Sequence, residues 1–306
     1  MSITTVVWPI ISAVCKATVF LGADTNICHP VNPAQEAFLS AYVSKQSELK
    51  KFKDDELRTW ATTDYQSLNK LLKDEGFSIQ LDQCDFGVVS ILNVLVKWLN
   101  LGEKTEITRR GIQYPAVKLG ESHQVRLHSW ERYEYVQSTL GFPSPKRPEQ
   151  ALCRQEVLEI PTQSGDTVWI TIADWPTADG FVLLKHIDAI RRNLIDCPDA
   201  NITAIFPMVD LDQKVDISWL SGMELGPKYV IDQAKQQTKL KVNEVGALVQ
   251  SAVTLGIKAV CCKPERKIVI DRPFYLWIER PGVSHPIFAG CIKESDWKEP
   301  KNLETK

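Results

Sequence analysis

The sequence predicts an α+β fold, and three observations carry that prediction. Helical patterns gather before residue 100, short strand patterns take over from residue 112, and no internal repeat or low-complexity tract interrupts either. Helices first and many β segments after them make one mixed domain over residues 1–306 rather than an alternating parallel sheet.

Residues 9–21 read as a helix, with Pro9 in the first turn, apolar residues nearly all round and Gly22 as a stop. The same stretch is apolar enough to suggest a signal peptide. It lacks a basic leader, and Pro9 and Lys16 interrupt it, so it reads as a buried helix and not as a leader or a membrane span. Residues 33–75 read as helical, with Asn32 as a cap before Pro33, an apolar face of Phe38, Leu39 and Tyr42, and Gly76 as the end. Residues 86–99 are apolar and β-branched, which suits a buried central strand, with a helix as the alternative. "IQYPAVKL" and "HQVRLHSWERYEYVQ" alternate as strands, and "GFPSPKRPEQ" reads as a Pro-rich loop.

"RQEVLEIPTQSGDTVWITIADWP" predicts a hairpin that turns at Ser164-Gly165-Asp166. A short amphipathic helix over "DGFVLLKHIDAIRRNLID" follows, then a strand, a turn and a second strand or short helix over residues 201–225. Strands are expected at 237–245 and 267–279, and "SHPIFAGCI" closes the chain as a buried strand.

The chain is 44% hydrophobic and 24% charged, an ordinary globular composition with no disorder signature. Its formal net charge of −2 points away from nucleic acid and from anionic membranes as partners. Lys50, Lys51 and Lys53 sit beside Asp54, Asp55 and Glu56 and read as a solvated face. The eight cysteines are irregularly spaced and contain no C-x-x-C pair, which predicts reduced, mostly buried thiols and a cytoplasmic protein.

Motifs that carry chemistry are absent. There is no Gly-rich phosphate loop, no nucleophile elbow and no H-E-x-x-H. The five histidines show no metal-ligand spacing, the carboxylates form no evident acid–base pair, and nothing beside Cys261-Cys262 marks an activated nucleophile. The expectation is a non-enzyme without cofactor or metal.

What remains unusual is the carboxyl end. Two strand patterns flank about twenty residues of mixed small, apolar and basic character. "KVNEVGA" resembles the serpin hinge VNEEGTEAAAAT, with Glu244 and Gly246 on its Glu and Gly. "IVIDRPFYLWIERPGVSHPIFAGCI" is similar to the serpin terminal signature through Asp271, Arg272, Pro273, Phe274, Phe288 and Gly290. "VLEIPTQSGDTVWITIADWP" and "IFPMVDLDQKVDISWLSGMEL" resemble two further segments of that family. "WPIISAVCKATVFLGADTN" matches an N-terminal serpin helix at Pro9, Ala13, Leu21 and Gly22. Asn93 falls where serpins keep the Asn of NAxYFKGxW, without the YFKG part. The resemblance covers residues 152–306 and 8–26 and is poor between them.

The resemblance implies a serpin-like fold of three β-sheets, shortened here, with a reduced N-terminal helical cluster. It makes the segment at about 247–268 a reactive-centre loop held out as bait. Exposed loop tips are where proteases cut. In inhibitory serpins the cleaved loop enters the main sheet as a new strand. About fourteen residues of strand span roughly 45–50 Å, enough to drag an attached protease along.

By the same resemblance the hinge residues are Glu244, Gly246, Ala247, Val249 and Ser251, the last three pointing into the sheet. Counting from Gly246 puts the reactive bond among Ala259, Val260, Cys261, Cys262 and Lys263. Lys258 and Lys263 keep a trypsin-like target open.

Three departures bear on inhibition. Val249 is bulkier than the family's Ala, an overpacking worth about 1–3 kcal/mol against insertion. Serpin Ser positions fall on Trp8 and Ile11 and a serpin His near Gln236, which predicts a permanently packed sheet with its polar opening cluster dismantled. The chain is also short, with the first family helix absent and the main sheet expected to lack a strand or its covering helix.

The implied partner is a serine or cysteine protease. The alternative is a non-inhibitory binding or scaffolding protein that takes a small-molecule or protein ligand. A third reading, a fold recruited to enzyme work, needs a pocket lined by Trp98, Trp130 or Trp169.

Overall fold

The structure is a computed structural model and describes residues 2–22, 25–120, 125–132, 135–137, 143–145, 153–173, 180–197, 201–245 and 265–300. The first strands in chain order are β1 (Ile3–Thr5), β2 (Cys28–His29), β3 (Leu57–Thr62), β4 (Gly87–Leu92), β5 (Glu103–Arg109), β6 (Ile112–Leu119) and β7 (Arg126–Arg132). Next come β8 (Tyr135–Gln137), β9 (Pro143–Pro145), β10 (Cys153–Pro161), β11 (Thr167–Ile172), β12 (Leu194–Asp196), β13 (Asn201–Pro207) and β14 (Val209–Val215). The last are β15 (Glu224–Leu225), β16 (Tyr229–Val230), β17 (Gln236–Val242), β18 (Glu265–Val269), β19 (Phe274–Glu279) and β20 (Phe288–Ile292). The α-helices are α1 (Trp8–Phe20), α2 (Pro33–Ala41), α3 (Tyr65–Asp74) and α4 (Gly180–Arg192).

A seven-stranded sheet in the order β1-β20-β19-β11-β10-β7-β12 forms the body. Its inner faces bury Leu158, Ile160, Ile170, Leu276 and Trp277 in one continuous core with α1 and α4. A four-stranded sheet, β18-β13-β6-β5, carries the parallel pair β13–β18 and packs Val117, Leu119 and Phe206 into the same core. The third layer is two separate antiparallel ribbons, β3–β4 and β14–β17.

Local chemistry explains the helices. Pro9 fits the first turn of α1, where its missing N–H costs nothing, and Gly22 at φ +74° ends the run. Asn32 caps α2 by accepting from Gln35 N at 3.0 Å. Asp64 caps α3 by accepting from Gln66 N and Ser67 N at 3.1 and 3.3 Å.

Several expectations are corrected. Residues 33–75 are not one helical region, because Leu57–Thr62 is strand β3, hydrogen-bonded along its length to β4. Between them Val43–Lys51 is a 3-10 helix with Lys50 and Lys51 exposed. The strand expected at 86–99 is confined to Gly87–Leu92, and among the described residues it pairs on one side only.

The strand expected at 267–279 is two strands in different sheets, since Asp271-Arg272-Pro273 breaks the ladder and Pro offers no N–H. Pro143–Pro145 in the expected loop pairs with β8. The hairpin β10–β11, with Gly165 at φ +83° in its turn, and the closing strand β20 stand where expected.

Candidate functional site

Glu244 lies two residues beyond the end of β17. Trp98 Nε1 donates to Asn243 O at 2.9 Å, and Gly102 N donates to Glu244 O at 2.8 Å. Trp98 is 3% exposed and stands edge-on to Phe206. A side chain at Gly102 would put its Cβ 2.8 Å from Val117 Cγ1, 2.9 Å from Leu119 Cδ2 and 3.2 Å from Glu244 O, so the close backbone approach requires glycine.

The Glu244 carboxylate lies 3.3 Å from Lys104 Nζ through Oε1, while Oε2 is buried without a hydrogen-bond partner among the described residues. Lys104 also bonds Glu299 at 2.5 Å, and these two carboxylates, Glu299 first, hold its ammonium above the usual range. Asn243 Oδ1 accepts from Val245 N at 2.9 Å, closing a side-chain turn.

The chain that leaves β4 and the chain that leaves β17 therefore meet at the Trp98–Asn243 bond, so the two strands run in the same direction. At their opposite ends they are joined as well. Residues 77–84, between α3 and β4, bond side chains of β17 and of the residues just before it. Among the described residues β17 pairs only with β14, and β4 only with β3. The two ribbons are thus joined at both ends, and each has an edge that no described strand pairs. A strand that turned back after Val245 would run antiparallel to both β17 and β4.

Helix α1 packs against the β3–β4 ribbon, and the chain just before it reaches β17. Gln236 Nε2 donates to Val6 O at 2.8 Å, just before the helix starts. Ser12 Oγ shares a 2.7 Å hydrogen bond with Thr59 Oγ1, which shares one of 2.9 Å with Ser90 Oγ. Trp8 and Ile11 are fully buried, with Trp8 Nε1 donating to Pro286 O at 3.2 Å. Apart from the expected positions Trp8, Ile11 and Gln236, hydroxyls of α1, β3 and β4 form a hydrogen-bonded chain at Ser12, Thr59 and Ser90.

Of the hinge residues expected from the sequence, Glu244 stands two residues past the end of β17. Gly246, Ala247, Val249 and Ser251 lie outside the described residues, as do Ala259, Val260, Cys261, Cys262 and Lys263. The loop expected at 247–268 takes in residues 265–268, which are part of strand β18.

Sequence reasoning missed Gly102 and Lys104, and it weighed Trp98 only for core or pocket. One signal was present for Trp98: the family pattern NAxYFKGxW ends in Trp, and Trp98 follows Asn93 three positions early.

Of the three tryptophans weighed for a pocket, Trp169 lines one. An open cleft of about 510 Å³ between α4 and the seven-stranded sheet is lined by Trp169, Arg191, Arg192 and Glu279 among others, and neither Trp98 nor Trp130 reaches it. Trp169 stacks on Trp277 at 5.8 Å and lies 5.2 Å from the ring of His128. His128 Nε2 bonds Glu159 Oε2 at 2.6 Å, and Nδ1 lies 2.9 Å from Asp196 Oδ1 out of hydrogen-bonding alignment. The Glu159 hydrogen bond raises the imidazole above its usual range, and the reciprocal bond lowers Glu159.

Among the described residues no group of three or more His, Cys, Asp or Glu is placed to hold a metal, and no helix is long and apolar enough to cross a membrane. Cys15, Cys84 and Cys197 stand outside any disulfide.

No protein-family model matches the sequence, and a comparison with curated proteins finds no match. Solved structures do match along nearly the whole chain. A serpin from Schistosoma mansoni is similar with a TM-score of 0.56 at 14% identity, covering 95% of each chain. Human glycosylated kallistatin gives 0.54 at 12% identity, covering 98% of this chain and 92% of its own. Human thyroxine-binding globulin complexed with its hormone gives 0.55 at 11% identity, covering 98% and 93%. The α+β architecture expected from the sequence is present, and the chain has the serpin fold.

Proposed function

We propose that this protein inhibits a serine or cysteine protease through the segment that follows β17, and that the cut segment enters between β17 and β4. The observation that supports this reading is the pair of co-directional strands, joined at both ends, each with an edge that no described strand pairs. An antiparallel strand placed there gains two ladders at once. The nineteen residues 246–264, within the segment that links β17 to β18, supply enough chain for a strand of about fourteen residues, roughly 45–50 Å long. The reactive bond is proposed among Ala259, Val260, Cys261, Cys262 and Lys263. We place the protein in the cytoplasm, a reducing compartment that suits the thiols Cys15, Cys84 and Cys197.

A second reading is favoured by a different observation. The cleft beside Trp169 sets an aromatic face next to Arg191, Arg192 and Glu279, the lining of a small-molecule site. A non-inhibitory carrier would use it, and one structural neighbour is a thyroxine-binding globulin.

Limited proteolysis followed by a melting scan separates the two. A single cut between Thr254 and Pro264 with a rise in Tm of about 20 °C or more supports inhibition, since a newly paired strand stabilises the cleaved chain. An SDS-stable complex with a serine or cysteine protease then identifies the target class. A cut there with no rise in Tm removes the inhibitory reading.

A further inference from the structure

The β3–β4 ribbon has a second edge, on the side of β3 that faces away from β4. Strand β3 reads Leu-Arg-Thr-Trp-Ala-Thr, with no Lys, Pro or Gly, and its one charge, Arg58, is paired within the chain to Glu75 at 2.9 Å. Strands that end a sheet are usually protected by charge or by being short. Here β5 carries Glu103, Lys104 and Glu106, β14 carries Asp210, Asp212 and Lys214, β17 carries Lys239 and Lys241, and β18 carries Glu265, Arg266 and Lys267. The outer strands β1 and β12 have three residues each. Strand β4 is uncharged, but its edge is the one that the joined ends of the ribbons set beside β17. The outer edge of β3 has neither protection.

Burial agrees with this. Strand β4 is buried at alternate positions, whereas none of the six residues of β3 is buried. That holds on both faces of β3, although Thr59 meets Ser12 of α1 and Trp60 packs on the small core of Leu68 and Leu72 from α3.

The ladder shows which backbone groups are open. Asn93 N donates to Glu56 O at 2.7 Å, and the register Leu57 to Leu92 sets these two residues opposite each other. Opposed residues in an antiparallel pair alternate between bonded and non-bonded. Arg58, Trp60 and Thr62 therefore turn their N–H and C=O toward β4, and Leu57, Thr59 and Ala61 turn theirs outward. Leu57 N donates to Lys53 O at 3.1 Å. The N–H and C=O of Thr59 and Ala61 have no partner among the described residues.

We propose that β3 is a dimerisation strand, which pairs antiparallel with β3 of a second copy of this chain about a twofold axis at Trp60. The open groups select this register. It sets Thr59 opposite Ala61 of the partner subunit, and Ala61 opposite the partner's Thr59, so each open N–H and C=O gains a bond. A pairing centred on Thr59 would need the N–H of Leu57, which Lys53 already holds. At the axis the two Trp60 side chains meet in a non-bonded pair, with Cβ atoms about 4.5–5.5 Å apart. Arg58 stands opposite Thr62 of the partner subunit, so no like charges oppose across the seam. The twofold closes the edge and stops at a dimer. It leaves the edges of β4 and β17 untouched and does not depend on the inhibitory reading.

The test uses the uncleaved full chain. Light scattering from about 1 to 200 µM is expected to show a reversible monomer–dimer equilibrium, since one short edge pairing belongs with small, weak interfaces. Hydrogen exchange at the Thr59 and Ala61 amides is expected to slow about tenfold when nine-tenths of the chain is dimeric, because only the free tenth exchanges. Thr62→Glu sets a carboxylate opposite Arg58 and should tighten the dimer about fivefold, and Thr62→Lys sets a like charge there and should weaken it by a similar factor, since the twofold repeats the pair. Both variants lose the bond from Asp64 N to Thr62 Oγ1, so that loss shifts them alike.

A chain that stays monomeric over this range overturns the proposal. So does a dimer with unchanged exchange at Thr59 and Ala61, which forms through another surface. Thr62 variants that move the equilibrium in the same direction overturn it as well.

Discussion

The indole of Trp98 donates a 2.9 Å hydrogen bond to the carbonyl of Asn243 and so fixes the exit of β17 against the chain that leaves β4. Trp98→Phe keeps most of the bulk and leaves this acceptor unmade. The expected loss is about 1–3 kcal/mol in urea unfolding, with faster exchange at Val245. An unchanged midpoint means that the ring contributes packing only.

Gly102 makes the same junction possible from the other side. Gly102→Ala forces a Cβ against Val117, Leu119 and the Glu244 carbonyl, and the last is backbone and cannot rotate away. A cost of about 1–3 kcal/mol is expected from this overpacking. The variant should also release the end of β17, seen as proteolysis near Val245. A variant as stable and as resistant as wild type shows that the junction relaxes freely.

Arg280 joins three elements in one buried network. Its Nε and Nη2 donate to Asp166 at 2.9 Å each, and Nη1 and Nη2 donate to Glu56 at 2.6 and 3.0 Å. Asp166 is 2% exposed at its side chain. Burial pushes Glu56 up, and the Arg280 guanidinium overrides it and holds the carboxyl below its usual range. Removing the cation in Arg280→Met strands a buried carboxylate, which typically costs about 3–5 kcal/mol. Adding Asp166→Asn should recover part of that loss. No recovery in the double variant means that packing against Phe52 carries the effect.

The pair His128–Glu159 sets a pH dependence. The imidazole is raised in the folded state, so its contribution is complete below the unfolded value of 6.5 and is lost as pH rises through the higher folded value. Glu159 is lowered, so its contribution is complete above 4.5 and is lost as pH falls through the lower folded value. The two overlap between pH 4.5 and 6.5. Asp196 and Arg126 are the other charged groups that face the pair. Tm is expected to fall between pH 6 and pH 9 in wild type and to fall less in His128→Gln. Parallel curves for the two proteins would remove His128 as the cause.

The sequence by itself determined the elements whose signals are local. Alternation and the Ser164-Gly165-Asp166 turn placed β10 and β11, Pro9 and Gly22 bounded α1, and Asn32 capped α2, because each signal acts over a few residues. The resemblance at Glu244 and at Asp271–Phe274 pointed to the fold.

Only the tertiary structure decided the rest. Leu57–Thr62 is a strand because β4 lies beside it, and Ile268 and Leu276 enter different sheets because their partners, β13 and β11, lie apart. Trp98, Gly102 and Lys104 gather at Glu244, and Gln237 meets Ser78, across separations of more than a hundred residues. A pattern along the chain reports which face of an element is apolar. Which partner covers that face, and which edge is left without one, depends on non-local pairing that no short stretch of sequence encodes.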